Sequence, residues 1–138
     1  MPSHPFIKYV QSDSLGVSLK KEILKMDEGG RRFARLVRAG DFLFVAGTTG
    51  QDVDGAKGNV RIQARRIFEK VKLMLEENSS SLDNVVSMTT YLTDYDSLPD
   101  VSSIRNEFMQ SVAAGTVVQV TRLDGFAEVE IEFIALAE

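Results

Sequence analysis

Apolar residues recur along this chain with two different periods, and the changes of period mark its elements. Phe33 to Val37 and Phe42 to Ala46 are short apolar runs on either side of Arg38-Ala39-Gly40-Asp41. Runs of this kind around Gly-Asp read as two strands joined by a turn, with Gly47-Thr48-Thr49-Gly50 expected to break the second strand. From Asn59 the period lengthens: Val60, Ala64, Ile67, Phe68, Val71, Met74 and Leu75 recur every three or four residues. That spacing predicts an amphipathic helix capped by Asn59 and running to about Asn78. Arg65 and Glu69 stand at the spacing of an i,i+4 ion pair. Arg61, Arg65, Arg66, Lys70 and Lys72 lie on the outer helix face and are expected to be solvated.

After the polar link Asn78-Ser79-Ser80-Ser81, the β-branched run from Val85 to Leu92 reads as a buried strand. Pro99 suits the first turn of a second helix, with Val101, Ile104, Phe108 and Val112 on its inner face. In the last third, Ala113 to Ala135, the Asp124-Gly125 pair is a strong hairpin signal. A two-residue turn there sets Gln119 opposite Glu130, Val118 opposite Ile131 and Val120 opposite Val129. Because side chains alternate along a strand, Glu128, Glu130 and Glu132 then share one face, and Val129, Ile131 and Phe133 the other. Three carboxylates in such a row are either solvated or functional.

Residues 1–30 are less regular. A short apolar start at Phe6 to Val10 is followed by Ser, Asp and Gly-rich sequence ending at Gly29-Gly30. This predicts an N-terminal arm with room for one edge strand, and a single domain over 31–138. The order strand, strand, helix, strand, helix, hairpin is an α+β arrangement, a mixed sheet with two helices packed on one face.

Composition narrows the chemistry. A chain of 138 residues, 43% hydrophobic, is long enough for one well-packed core. The 16 Lys and Arg against 20 Asp and Glu give a net charge of -4, so nothing draws the chain to nucleic acid or an anionic membrane. Without cysteine there is no disulfide, thiolate metal site or cysteine nucleophile. The start MPSHPFIKYV lacks the basic-then-apolar form of a signal peptide, and a cytoplasmic protein is expected. His4 is the single histidine and sits near a terminus, which excludes a Ser-His-Asp triad or a multi-histidine metal centre. An enzyme built from this chain would use a carboxylate or an ordered water as base.

Thr116, the Arg122-Leu123 pair and Glu130-Ile131-Glu132 followed by Ile134-Ala135 form a pattern that resembles the C-terminal signature of the Rid family, the enamine/imine deaminases also known as the YjgF/UK114 group. Gly40, Gly47, Gln63-Ala64-Arg65, Val85-Val86 and Leu92-Thr93-Asp94 extend the likeness, in order, over roughly Phe33 to Ala135. The resemblance implies a homotrimer with ligand clefts between subunits and no metal or cofactor. It implies that Glu130 holds a water against the C=N carbon, that the Gly47 N–H faces the ligand and that the Val117 carbonyl orients the water. The chain departs from the family at three polar positions. Phe33 stands for a tyrosine, Ser102 for an asparagine, and Gly115 for the arginine that grips the substrate carboxylate.

Gly115 leaves room for a larger or less acidic ligand, such as an aminomuconate-like enamine; Arg31, Arg32 and Arg105 are candidates for the missing cation, and the sequence places none of them in the cleft. Two functions remain open at this point. One is a Rid-type deaminase with altered specificity; the other is a non-catalytic trimer that binds a small metabolite in the same cleft.

Overall fold

The computed structural model describes residues 8–12, 17–50 and 59–138, and side chains from residue 20 onward within that set. His4 and the apolar start from Phe6 lie outside the described residues or side chains. The strands are β1 (Lys8–Ser12), β2 (Val17–Met26), β3 (Ala34–Ala39), β4 (Phe42–Thr49), β5 (Val85–Leu92), β6 (Ala114–Gln119) and β7 (Val129–Leu136). Two helices, α1 (Val60–Glu76) and α2 (Leu98–Phe108), complete the fold. The described strands form one sheet in the order β1-β2-β3-β4-β7-β5-β6, antiparallel throughout except for the parallel pair β5–β6. The mixed sheet with two helices expected from the sequence is therefore present.

The local chemistry of most elements follows the sequence pattern. Gly40 takes a positive φ of 60° in the turn that brings Ala39 opposite Phe42, so the β3–β4 hairpin falls at Gly40-Asp41. The Asn59 side chain accepts from the Ile62 N–H at 3.1 Å and caps α1. Pro99 lies in the first turn of α2, and β5 spans Val85–Leu92 as its β-branched run predicts.

α1 buries Ala64, Ile67, Phe68, Val71, Met74 and Leu75 against β4, β7 and α2. Phe68 is the centre of this layer: its ring stacks on Phe108 of α2 at 5.6 Å and meets Phe133 of β7 edge-on at 6.0 Å. Burying such side chains stabilises the fold by about 1.5–3 kcal/mol each. Strand alternation then divides β7 as expected: Val129, Ile131, Phe133 and Ala135 are buried toward the helices, while Glu130, Glu132, Ile134 and Leu136 turn to the other, open face.

Several expectations are corrected. β6 and β7 are not a hairpin, because β5 lies between them and pairs with both. Asp124 to Phe126 does form a turn, with Gly125 at φ 64°, but the strand–helix–strand run β5-α2-β6 is a crossover unit whose strands lie parallel and adjacent. Thus Glu130 stands opposite Thr49 and Tyr91, and not opposite Gln119. The Gly47-Thr48-Thr49 segment does not end β4. Three steps from Val45 to Thr48 match two steps from Phe133 to Ile131, so the strand passes through a bulge there and continues.

Both β1 and β2 lie within the N-terminal arm, where one edge strand was expected, and β2 pairs with β3. Arg65 does not pair with Glu69; its guanidinium reaches across to Glu107 of α2 with two bonds of 2.9 and 3.1 Å, the planar fork-to-fork geometry that arginine and carboxylate favour. Arg61 similarly meets Asp100 at 3.1 Å, so part of the basic face of α1 ties the two helices together. Val112 is 93% exposed because α2 ends at Phe108, before the residue that would have turned inward.

Candidate functional site

Glu130, Gly47 and Phe33 come together in one cleft of roughly 870 Å³ on the open side of the sheet. β7 carries Glu130 beside the bulge of β4, which brings Gly47 against it. A β-carbon on residue 47 would collide with Glu130 Oε2 and lie 3.0 Å from Cδ, so the carboxylate rests in space that only glycine leaves open. Burial raises the proton affinity of Glu130 above that of an ordinary carboxylate. The Arg35 guanidinium pulls the other way, Glu132 and Asp124 add to the rise, and Arg31 opposes it.

Arg35, which the sequence reading did not single out, organises this cleft. Its Nη2 donates to the Gly47 carbonyl at 3.0 Å and to Thr48 Oγ1 at 2.9 Å, fixing the bulge from the side of β3. Arg31 and Arg35 both lie over the Phe33 ring, at 5.4 and 5.6 Å from its centroid. Arg31 and Phe33 precede β3 in a bend closed by the Phe33 N–H on the Arg31 carbonyl at 3.0 Å, so strand alternation alone does not bring them beside Arg35. Arg31 also pairs with Asp124 at 2.8 Å, and Lys70 of α1 donates to the Thr49 carbonyl at 2.9 Å on the same cleft wall.

The expected row of three carboxylates loses one member. Glu128 precedes β7, its N–H donates to Gln63 Oε1 at 2.8 Å, and its carboxylate accepts from Gln63 Nε2 at 3.3 Å, which ties it to the buried glutamine of α1. Glu132 remains on the open face and accepts from the Tyr91 hydroxyl, which holds that phenol above its usual proton affinity.

Gly115 and Val117 lie elsewhere. They line a pocket of roughly 380 Å³ between β6 and α2, with Met88, Thr90 and Arg105. Gly115 pairs with Met88 and Val117 with Thr90, so both are on the helix side of the sheet, opposite to Glu130. A side chain at 115 would have open space, the nearest atom being the Met88 carbonyl at 3.9 Å. Arg32 is exposed and lines neither space. Among the described residues no three His, Cys, Asp or Glu side chains group as metal ligands, and no helix is long and apolar enough to cross a membrane.

The mixed sheet of seven described strands with two helices on one face is an α+β domain of the kind found in the YjgF/RutC group. The sequence profile described as Endoribonuclease L-PSP matches residues 28–137. The chain belongs to this family, the Rid (YjgF/RutC) family. A RutC family protein of Pyrococcus abyssi is 33% identical over 110 residues, covering 77% of this chain and 87% of that one. The 2-iminobutanoate/2-iminopropanoate deaminase of Dermatophagoides farinae is 26% identical over 110 residues, covering 77% and 86%. Among solved structures, a protein of Thermotoga maritima superposes with a TM-score of 0.73 at 27% identity, covering 83% of this chain and 93% of its own.

Proposed function

We propose that the protein is a hydrolytic deaminase of imines or enamines in which Glu130 moves the protons. The observation that carries this reading is the Glu130 carboxylate, half-buried, lodged against Gly47 and raised in proton affinity. A carboxyl group poised in that way exchanges a proton in both directions more readily than an ordinary surface glutamate. The similarity to a named iminobutanoate deaminase supports the same chemistry. The family profile's name refers to RNA cleavage, but this cleft is lined by Asp27, Asp124 and Glu130 as well as by Arg31, Arg35 and Lys70, a poor electrostatic match to a polyanion.

The steps balance with one carboxylate. Water adds to the C=N carbon while giving a proton to Glu130; the C–O bond forms, the π pair moves to nitrogen, and Glu130 passes the proton to that nitrogen. The resulting carbinolamine gives its hydroxyl proton to Glu130, the C=O bond forms as the C–N bond breaks, and the proton returned from Glu130 leaves with nitrogen as ammonia. An enamine enters the same route after the acid form of Glu130 protonates its carbon. No outside oxidant or reductant is required.

The assembly belongs to the same proposal. Phe42 and Phe44 of β4 are 41% and 43% exposed, and their partners Leu136 and Ile134 lie beside them on the open face. An apolar strip of this kind calls for a cover, and a homotrimer supplies one. Glu130 and Gly115 face opposite sides of one sheet, so a cleft that uses both draws them from two copies of the chain.

The test follows ammonia release from imines and enamines generated in situ, from small 2-imino acids to aminomuconate-like compounds. Acceleration by wild type that Glu130→Gln loses supports the deaminase, and equal rates from the two proteins rule out the role given to Glu130. The second reading, a trimer that binds a metabolite without turning it over, draws on the absent side chain at Gly115. A compound that raises Tm and is recovered unchanged would favour it.

A further inference from the structure

We propose that the group Arg31, Phe33 and Arg35 is the acid-binding wall of the Glu130 cleft, so that the substrate is an imine or enamine carrying a carboxylate held from the start of β3 and the bend that precedes it, and not from position 115. This inference rests on the deaminase reading for the reacting carbon, but the binding wall stands on its own geometry.

Three observations converge. The first is supply: the cleft that holds Glu130 also holds the cations Arg31, Arg35 and Lys70. The second is preorganisation. Phe33 carries both guanidinium groups over its ring, and Arg35 is anchored through Nη2 alone, on the Gly47 carbonyl and Thr48 Oγ1. Its Nε and Nη1 have no protein acceptor among the described residues, so donors are left over in a half-buried site. The third is exchangeability. Arg31 is held by Asp124, but the two side chains are 61% and 73% exposed, and an ion pair so open to water is weak enough to yield to a ligand carboxylate.

The charges fit such a ligand. Asp27 and Asp124 are both within ion-pair distance of Arg31, at 3.8 and 2.8 Å, while Glu130 has no such partner among the described residues. A protonated imine that also bears a carboxylate is itself dipolar. Its cationic end would face Glu130 and its acid end the wall, and the backbone contact between Arg35 and Gly47 sets both ends in one frame. Arg105 lies on the other face of the sheet, in the pocket with Gly115, and is the rival source of a cation.

The experiment compares a 2-imino acid with its methyl ester on wild type, Arg31→Met, Arg31→Met/Arg35→Lys and Arg105→Met. Wild type should prefer the acid. The acid-to-ester ratio of kcat/KM should fall about tenfold in Arg31→Met and further in the double variant, the loss of a charged hydrogen bond. Using Lys at 35 keeps a donor for Gly47, which guards against a collapsed bulge. A wild type without preference for the acid, or a ratio lowered by Arg105→Met and not by Arg31→Met, overturns the wall. If wild type hydrolyses neither compound, the deaminase reading fails, and calorimetric titration with a 2-oxo acid decides the wall separately. Binding weakened about tenfold by Arg31→Met supports it; no binding, or binding that Arg31→Met leaves unchanged, overturns it.

Discussion

The carboxylate of Glu130 fills the space in which a side chain at residue 47 would stand. Gly47 is therefore fixed by its neighbour and not by a turn, since the bulge of β4 presses its backbone against β7 at the place where Glu130 projects. Gly47→Ala should push the carboxylate out of register while leaving the core untouched, because the displaced atoms are the free end of a flexible side chain beside an open cleft. The expected result is a fall in deaminase kcat/KM of about a hundredfold, as for a catalytic group misplaced by about 1 Å. Tm should stay close to that of wild type.

A second relationship holds the cleft from behind. Gln63 is fully buried in α1, and its side-chain amide accepts from the Glu128 N–H while donating to the Glu128 carboxylate. Gln63→Leu keeps the volume but orphans that backbone donor. The cost should be about 1–3 kcal/mol, the usual penalty for an unsatisfied buried group, read as a lower midpoint in urea with an unchanged slope. A variant as stable as wild type would show that the entry to β7 does not depend on this bond.

The elements were legible wherever local chemistry decides them. Asn59 caps α1, Gly40-Asp41 turns the first hairpin, and Val85–Leu92 is a strand because each of those choices is made within a few residues. Partner choice is not local. Asp124-Gly125 does make its turn, yet the pairing of β7 is settled by β5, whose Val85, Met88 and Leu92 are buried where β6 is mostly exposed. The same limit hid Arg35: its role depends on a bulge in β4 that no residue pattern in β3 announces. Glu130, Gly47 and Phe33 line one cleft, whereas Gly115 and Val117 fall on the opposite face within one chain.

Phe44 tests the proposed assembly. It lies on the open face beside Ile134, far from the layer that Phe68 organises. Since the ring is 43% exposed in the single chain, Phe44→Asp removes little of the core. It would, however, place a charge in the middle of an interface. Sedimentation should find wild type as a trimer and Phe44→Asp as a folded monomer with a native circular dichroism spectrum. A wild type that sediments as a monomer defeats the trimer directly.

The proton affinity of Glu130 ties activity and stability to pH in opposite senses. Burial, the largest influence, places its pKa above the ordinary carboxylate value, against the pull of Arg35 and Arg31. A folded pKa above the unfolded one means that the folded chain binds this proton more tightly. The group's stabilising contribution is then fully present below the unfolded pKa, about 4.3 for glutamate, and is lost as pH rises through the folded value. Near neutrality the wild type carries a charge in a poorly solvated place, and Glu130→Gln does not. Thermal melts should accordingly show Glu130→Gln gaining on wild type as pH rises from about 4 to neutrality. Turnover of an imine should run the other way, because the form that activates water is the carboxylate: its kcat/KM should fall on the acid side with a midpoint above that of a free glutamate. A Tm difference that stays constant across this range would show that Glu130 has the same proton affinity folded and unfolded, and would remove the electrostatic argument for its role.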